Sequence, residues 1–166
     1  MSAVSTAFPI DKSMAYRAIF WGGLTAGILD ITAAFINSAR SGRSPMWVLQ
    51  SVASGLLGAD SYTGGLPAAA LGAALHFLIA FVACTVFYLA SRKLNILVRH
   101  AIVCGLLYGV AVYLFMYLVV LPLTFHRSFF RQLSAVVTGL IIHMLCVGLP
   151  ISLIVSRLST TTAPRE

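Results

Sequence analysis

The chain is poor in acid. Four carboxylates, Asp11, Asp30, Asp60 and Glu166, are spread over 166 residues. Only Asp30 falls within an apolar stretch, which excludes chemistry needing two carboxylates inside a membrane. Charge of either sign is scarce: 9% of residues carry it, against about 25% in a soluble domain. So little charge cannot clothe a water-facing surface, and the bilayer is the expected solvent for much of the chain. Cysteine is scarce too. Cys84, Cys104 and Cys146 stand alone in apolar stretches with no CxxC spacing. They indicate neither a disulfide framework nor a zinc site, and read as small buried hydrophobes. HExxH, GxSxG and a phosphate-binding glycine loop are absent, so no familiar catalytic motif is present.

What is abundant is apolar side chain: 60% of the residues, with a mean hydropathy of +0.97. A membrane-spanning helix needs about 20 mostly apolar residues. Four segments qualify, Ala18–Asn37, Leu66–Leu89, Ala101–Leu121 and Leu133–Val155. The fold class expected is an all-α membrane protein with four transmembrane helices. Its transmembrane domain covers 18–156, between an N-terminal segment, 1–17, and a tail, 157–166. The first apolar segment follows the largely polar 1–17, contains Asp30, and exceeds the h-region of about 7–15 residues found in signal peptides. It reads as a retained helix.

Basic residues set the expected orientation. Lys12, Arg17, Arg92, Lys93, Arg99, Arg157 and Arg165 share one side; Arg40, Arg43, Arg127 and Arg131 share the other. The positive-inside rule then places both termini in the cytoplasm. The formal net charge of +7 is distributed over these short connections, without interleaved aromatics. Lipid headgroups, not nucleic acid, are the partner it implies.

The connection between the first two spans carries structure of its own. Ser44-Pro45 is an N-cap followed by a proline suited to the first helical position. From Met46 to Leu57, Met46, Leu49, Val52, Ala53, Leu56 and Leu57 take one helical face, and Trp47, Gln50, Ser51 and Ser54 take the other. This short amphipathic helix lies in the interface, or dips inward as a re-entrant segment that lids a site. Gly55, Gly58, Gly64 and Gly65 allow the backbone to turn around it.

A faint repeat relates the two halves. Gly23-Leu-Thr-Ala-Gly27 resembles Gly105-Leu-Leu-Tyr-Gly109, and Gly72-x-x-x-His76 resembles Gly139-x-x-x-His143. Two hairpins of like orientation would form a parallel repeat.

Counting along the spans brings Asp30, His76 and His143 to one depth, roughly 10–15 Å below the outer boundary. Tyr113 of the third span joins that layer; Asn37 and Gln50 belong just above it. Ionisable groups in hydrocarbon are costly and mark functional sites. Each also has a plainer role: Asp30 and the histidines as interhelical hydrogen-bonding groups, Tyr113 as packing. His100 and His126 fall at the membrane ends and read as interfacial.

The runs Ser44-Pro45, Val48-Leu49-Gln50-Ser51-Val52-Ala53-Ser54-Gly55-Leu56-Leu57-Gly58, Gly64-Gly65, Leu71-Gly72-x-x-Leu75-His76-Phe77, Leu107-Tyr108-Gly109-Val110 and Val119-Val120-Leu121-Pro122-Leu123 together resemble a widespread family of small uncharacterised bacterial four-helix inner-membrane proteins. The resemblance spans nearly the whole chain. It implies a bacterial plasma membrane and four helices, and assigns no activity.

Several functions remain open on the sequence. The Asp/His layer suits transport of a small solute, a cation or protons, or the sensing of a ligand. Four helices are few for a carrier, so that reading anticipates a homo-oligomer. His76 and His143 instead suit the axial positions of a b-type haem held between the second and fourth spans. Asp30, His76 and His143 suit a metal ion with one open position. A non-catalytic accessory subunit would use the same groups for packing alone.

Overall fold

In a computed structural model the described residues are 12–122 and 133–160; of Thr160 only the backbone is described. Among them every regular element is helical. Helix α1 covers Lys12–Ala39, α2 Pro45–Leu57, α3 Gly65–Lys93, α4 Ile96–Arg99 and α5 Ala101–Phe115. A 3₁₀ turn, Gly58–Tyr62, follows α2, and a π-helical turn, Met116–Val120, extends α5. Helix α6, Leu133–Ile142, runs through a second π turn, His143–Gly148, into α7, Leu149–Thr160. Four helices, Lys12–Ala39, Gly65–Lys93, Ala101–Val120 and Leu133–Ser159, are long and apolar enough to cross a membrane, and the chain is a multi-pass membrane protein. The basic residues Arg127 and Arg131, His126, Arg165 and the acids Asp11 and Glu166 lie outside the described residues.

The helices overrun the apolar segments at their charged ends. Helix α1 begins at Lys12, six residues before the apolar stretch, and α3 carries Arg92 and Lys93 in its last turn. Backbone hydrogen bonding continues into the interface, where long basic side chains keep their heads in water while their stems cover apolar surface.

Small residues let the spans approach closely. Helix α1 packs antiparallel to α3, with Gly23 against Phe81 and Gly27 against Phe77, and antiparallel to α7, with Gly22 near Ile151 and Ile154. Gly105 and Gly109 of α5 meet the fourth span at Ser152, Gly148 and His143. The ring is closed by Tyr108, whose hydroxyl donates to the Ala83 carbonyl on α3 (2.7 Å) and whose ring meets Phe87 edge-on. Contacts in the two hairpins correspond. Gly27–Phe77 and Gly109–Met144, and Gly23–Phe81 and Gly105–Gly148, are related by the same offsets, 82 residues in the first helix (109 − 27, 105 − 23) and 67 in the second (144 − 77, 148 − 81).

The apolar core occupies the half nearer the chain termini. Ala18, Ala26, Cys84, Phe87, Tyr88, Val147, Ile151 and Val155 are buried together there. In the other half, here called distal, α6 buries none of its residues.

Both π turns end two residues before a proline, Pro122 and Pro150. A proline inside a helix has no N–H and presses its ring on the preceding turn. Widening that turn relieves the clash: the Leu149 amide reaches back five residues to the Met144 carbonyl.

Helix α2 forms as its sequence predicts. Ser44 caps it, accepting from the Trp47 amide at 3.2 Å, and Pro45 occupies the first turn. Its main neighbour is α3, followed by the 3₁₀ turn Gly58–Tyr62 and then α1. The Leu49 carbonyl lies against Gly72, a contact that a side chain at residue 72 would abolish. Gly72 is seven residues into α3, about 10 Å along its axis. The buried side of α2 is mixed. Gln50 and Ser54 face inward with Val48 and Ala53, while Met46, Leu56 and Leu57 are exposed. The helix packs along the side of α3, with a smaller contact to α1.

Cysteine labelling tests this topology. In a variant without native cysteines, Thr63→Cys and Asn95→Cys sit in the connections at opposite ends of α3, both exposed. An impermeant thiol reagent added to intact cells is expected to modify the first and spare the second. Modification of both, or of Asn95→Cys alone, would contradict the expected orientation.

Candidate functional site

Each polar residue expected in the layer finds a specific neighbour. His76, half-buried on α3, donates from Nε2 to the Gly27 carbonyl of α1 at 2.9 Å. Gly27 makes the bond accessible: with no side chain, it lets α3 approach until Phe77 and Ala80 fill the space a Cβ would take. A carbonyl only accepts, so the His76 proton on Nε2 is fixed and Nδ1 faces elsewhere.

Asp30 lies three residues beyond Gly27, on the same side of α1, because residues three apart share a helix face. Its carboxyl is half-buried and within electrostatic reach of Cys146, in the π turn of the fourth span. His143 opens that turn. Its Nδ1 donates to the Gly139 carbonyl of its own helix at 2.9 Å, leaving Nε2 available. Tyr113 of α5 is buried, with its ring edge-on to His143 at 5.2 Å between centroids, and it fills the space beside Gly139. Tyr117 stacks on Tyr113 at 5.9 Å.

These contacts bring together His143 and Tyr113, and set Asp30 between the Gly27 carbonyl that holds His76 and the turn that His143 opens. They do not gather the three ionisable groups into one ligand shell. Among the described residues no three His, Cys, Asp or Glu side chains are grouped so as to hold a metal ion. Gln50 stands apart, buried under α2, where its Nε2 donates to the Gly65 carbonyl at 3.2 Å. Asn37 and His100 are exposed, at the distal end of α1 and at the α4–α5 junction.

Three features escaped sequence reasoning. Cys146 was grouped with inert core thiols, yet it is half-buried beside the carboxyl. The π turn that carries it had a signal in Pro150. Ser61 is fully buried, and among the described residues its hydroxyl has no hydrogen-bond partner.

No known protein family, curated protein or solved structure matches the chain.

Proposed function

We propose that the protein moves protons or a small cation across a bacterial inner membrane, with both termini in the cytoplasm, through a protonatable layer in the outer half. Asp30, His76 and His143 carry the exchangeable protons, Tyr113 orients His143, and Gln50 pins α2 beside the path. The observation that carries this reading is the placement of Asp30. Asp30, the half-buried acid of the described spans, lies three residues from Gly27, whose carbonyl holds His76, and within electrostatic reach of the widened turn that His143 opens. Acids and imidazoles at membrane depth serve proton and ion relays. The π turn adds to this support, since such turns recur at functional sites.

The chain then belongs with the small bacterial inner-membrane proteins that it resembles. The matching contacts of the two hairpins support their reading as copies of one unit. The inward-turned Gln50 and Ser54 of α2 support a re-entrant helix. Conduction through four spans calls for a homo-oligomer, with the layer of each copy opening at a shared interface.

Purified protein in liposomes loaded with a pH-sensitive dye tests the reading. Under a potassium-diffusion potential, wild type is expected to acidify or alkalinise the lumen faster than protein-free vesicles. Asp30→Asn should lower that rate by about tenfold or more, and Asp30→Glu should retain most of it. A wild-type rate equal to that of empty vesicles, with both proton and potassium gradients imposed, would end the proposal.

One observation favours a second reading. His143 holds Nδ1 on a carbonyl and leaves Nε2 available, as an axial haem ligand does. His76 has the reverse arrangement and would have to leave Gly27. A stoichiometric Soret band, lost in both His76→Ala and His143→Ala, would establish the haem protein in place of the transporter.

A further inference from the structure

The half nearer the termini carries positive charge with no carboxylate close to it among the described residues. Arg17, Arg92, Lys93 and Arg99 lie there, while the two described acids, Asp30 and Asp60, lie in the distal half and in the connection beyond it. Asp30 is thirteen residues from Arg17 on α1, about 20 Å along the helix.

Arg17 stands at the mouth of an open groove of about 470 Å³ lined by Tyr16, Arg17, Ile19, Phe20, Trp21 and Phe81. The floor is aromatic: Phe20 stacks on Phe81 at 6.3 Å and meets Trp21 edge-on at 5.2 Å. Tyr16 is 72% exposed and Trp21 52%, so the groove opens sideways to the surrounding medium. Arg17 is about 7 Å from the start of α1, whereas Phe81 is about 18 Å from the basic end of α3. The groove therefore runs from headgroup level into the hydrocarbon. A second depression of about 460 Å³ repeats the plan, with Arg99 and His100 above Ile102, Val103 and Leu153.

From this we infer a binding site for an anionic phospholipid of the leaflet on the side of the termini, its phosphate on Arg17 and one acyl chain along Phe20 and Phe81. Arginine suits this role, because its planar guanidinium pairs with two phosphate oxygens at once. Tyr16 and Trp21 sit where amphipathic rings settle at headgroup level. Charge selects this occupant over a zwitterionic lipid, whose headgroup brings no net counter-charge. It also selects it over a second copy, which would bring another Arg17 to the same groove. The inference depends on the four spans alone, and holds whichever side of the membrane the termini face.

Trp21 reports on the groove directly. The chain has two tryptophans, Trp21 and Trp47, so Trp47→Phe leaves a single fluorophore. This variant is reconstituted in phosphatidylcholine vesicles and titrated with brominated phosphatidylglycerol or, separately, brominated phosphatidylcholine. Quenching of Trp21 is expected to show a relative affinity for the anionic lipid about fivefold above that for the zwitterionic one, the preference that one arginine at a headgroup confers. Adding Arg17→Gln should bring the ratio to near one, with circular dichroism unchanged; Arg17→Lys should keep part of it. Equal quenching by both lipids in the Trp47→Phe protein would overturn the inference, and so would a preference that survives Arg17→Gln. Weak quenching by both lipids, relieved on dilution into excess vesicles, would identify a second copy as the occupant and overturn it equally.

Discussion

Gly148→Leu is expected to part the third span from the fourth. A Cβ at residue 148 would land on the carbonyl of Gly105 and on the amide nitrogen and Cα of Gly109. These atoms are all backbone, so no rotamer change can make room. Overpacking a tight interface costs about 1–3 kcal/mol, sometimes more, and this position belongs at the upper end because a whole helix must shift. Tyr108 would move with α5, weakening its bond to Ala83. Ala111→Leu is the control: it also introduces a leucine, on α5 at an exposed position, where lipid accommodates it. Unfolding in mixed micelles, followed by circular dichroism against the mole fraction of dodecyl sulfate, should show a large loss for Gly148→Leu and almost none for Ala111→Leu. Equal midpoints for Gly148→Leu and wild type would mean that the close approach is not maintained in the folded protein.

Gly72→Leu should release α2 while leaving the spans folded. The Leu49 carbonyl and the Ala53 amide occupy the space beside Gly72. Displacing α2 also strands Gln50, whose side-chain amide would lose the Gly65 carbonyl. Leaving a buried polar group unpaired adds about 1–3 kcal/mol. The loss falls on α2 because only one of its faces is held. Hydrogen exchange should rise sharply over residues 45–62 and little over α1 and α5. Trp47, stacked on Tyr62 at 5.5 Å and covered by the Arg43 guanidinium at 3.9 Å, should shift its emission as that stack opens. Uniform acceleration across all the spans would instead make α2 an integral part of the bundle core.

Hydropathy made the four spans legible, because crossing hydrocarbon requires an unbroken apolar run whatever the neighbours are. Their ends were less legible. Lys12, Arg92 and Lys93 are polar in the sequence but helical in the structure, since an interface tolerates charged helix and water does not end it. Ser44 and Pro45 announced α2, but its buried side takes Ala53 from the expected apolar face and Gln50 and Ser54 from the polar one. Which face turns inward could not be read, because amphipathicity identifies a boundary and not the solvent on either side. Beside lipid, Gln50 and Ser54 go inward and Leu56 goes out.

The candidate site divides in the same way. Depth follows from counting residues, and the contacts of His143 with Tyr113 agree with it. Rotation about each helix axis does not follow from counting. His76 spends its Nε2 proton on a main-chain carbonyl, and no pattern of side chains reveals an acceptor that every residue possesses. Gly27 was the available sign, since a glycine facing a bulky helix marks backbone within reach. Pro150 was another, unused sign: its missing N–H required the preceding turn to depart from regular helix.

The fourth span is built unequally about that proline. On one side, α7 has Ile151, Ser152 and Val155 sealed among its neighbours; on the other, α6 buries nothing. Between them the π turn has exchanged the stiffest part of a helix, its regular ladder, for a looser one. Mechanically the span is a post set firmly in one leaflet, with a less supported arm in the other. His143 is at the joint, and Tyr113 packs edge-on against it. A distortion of α6 therefore meets the loosened turn before it meets the sealed residues of α7.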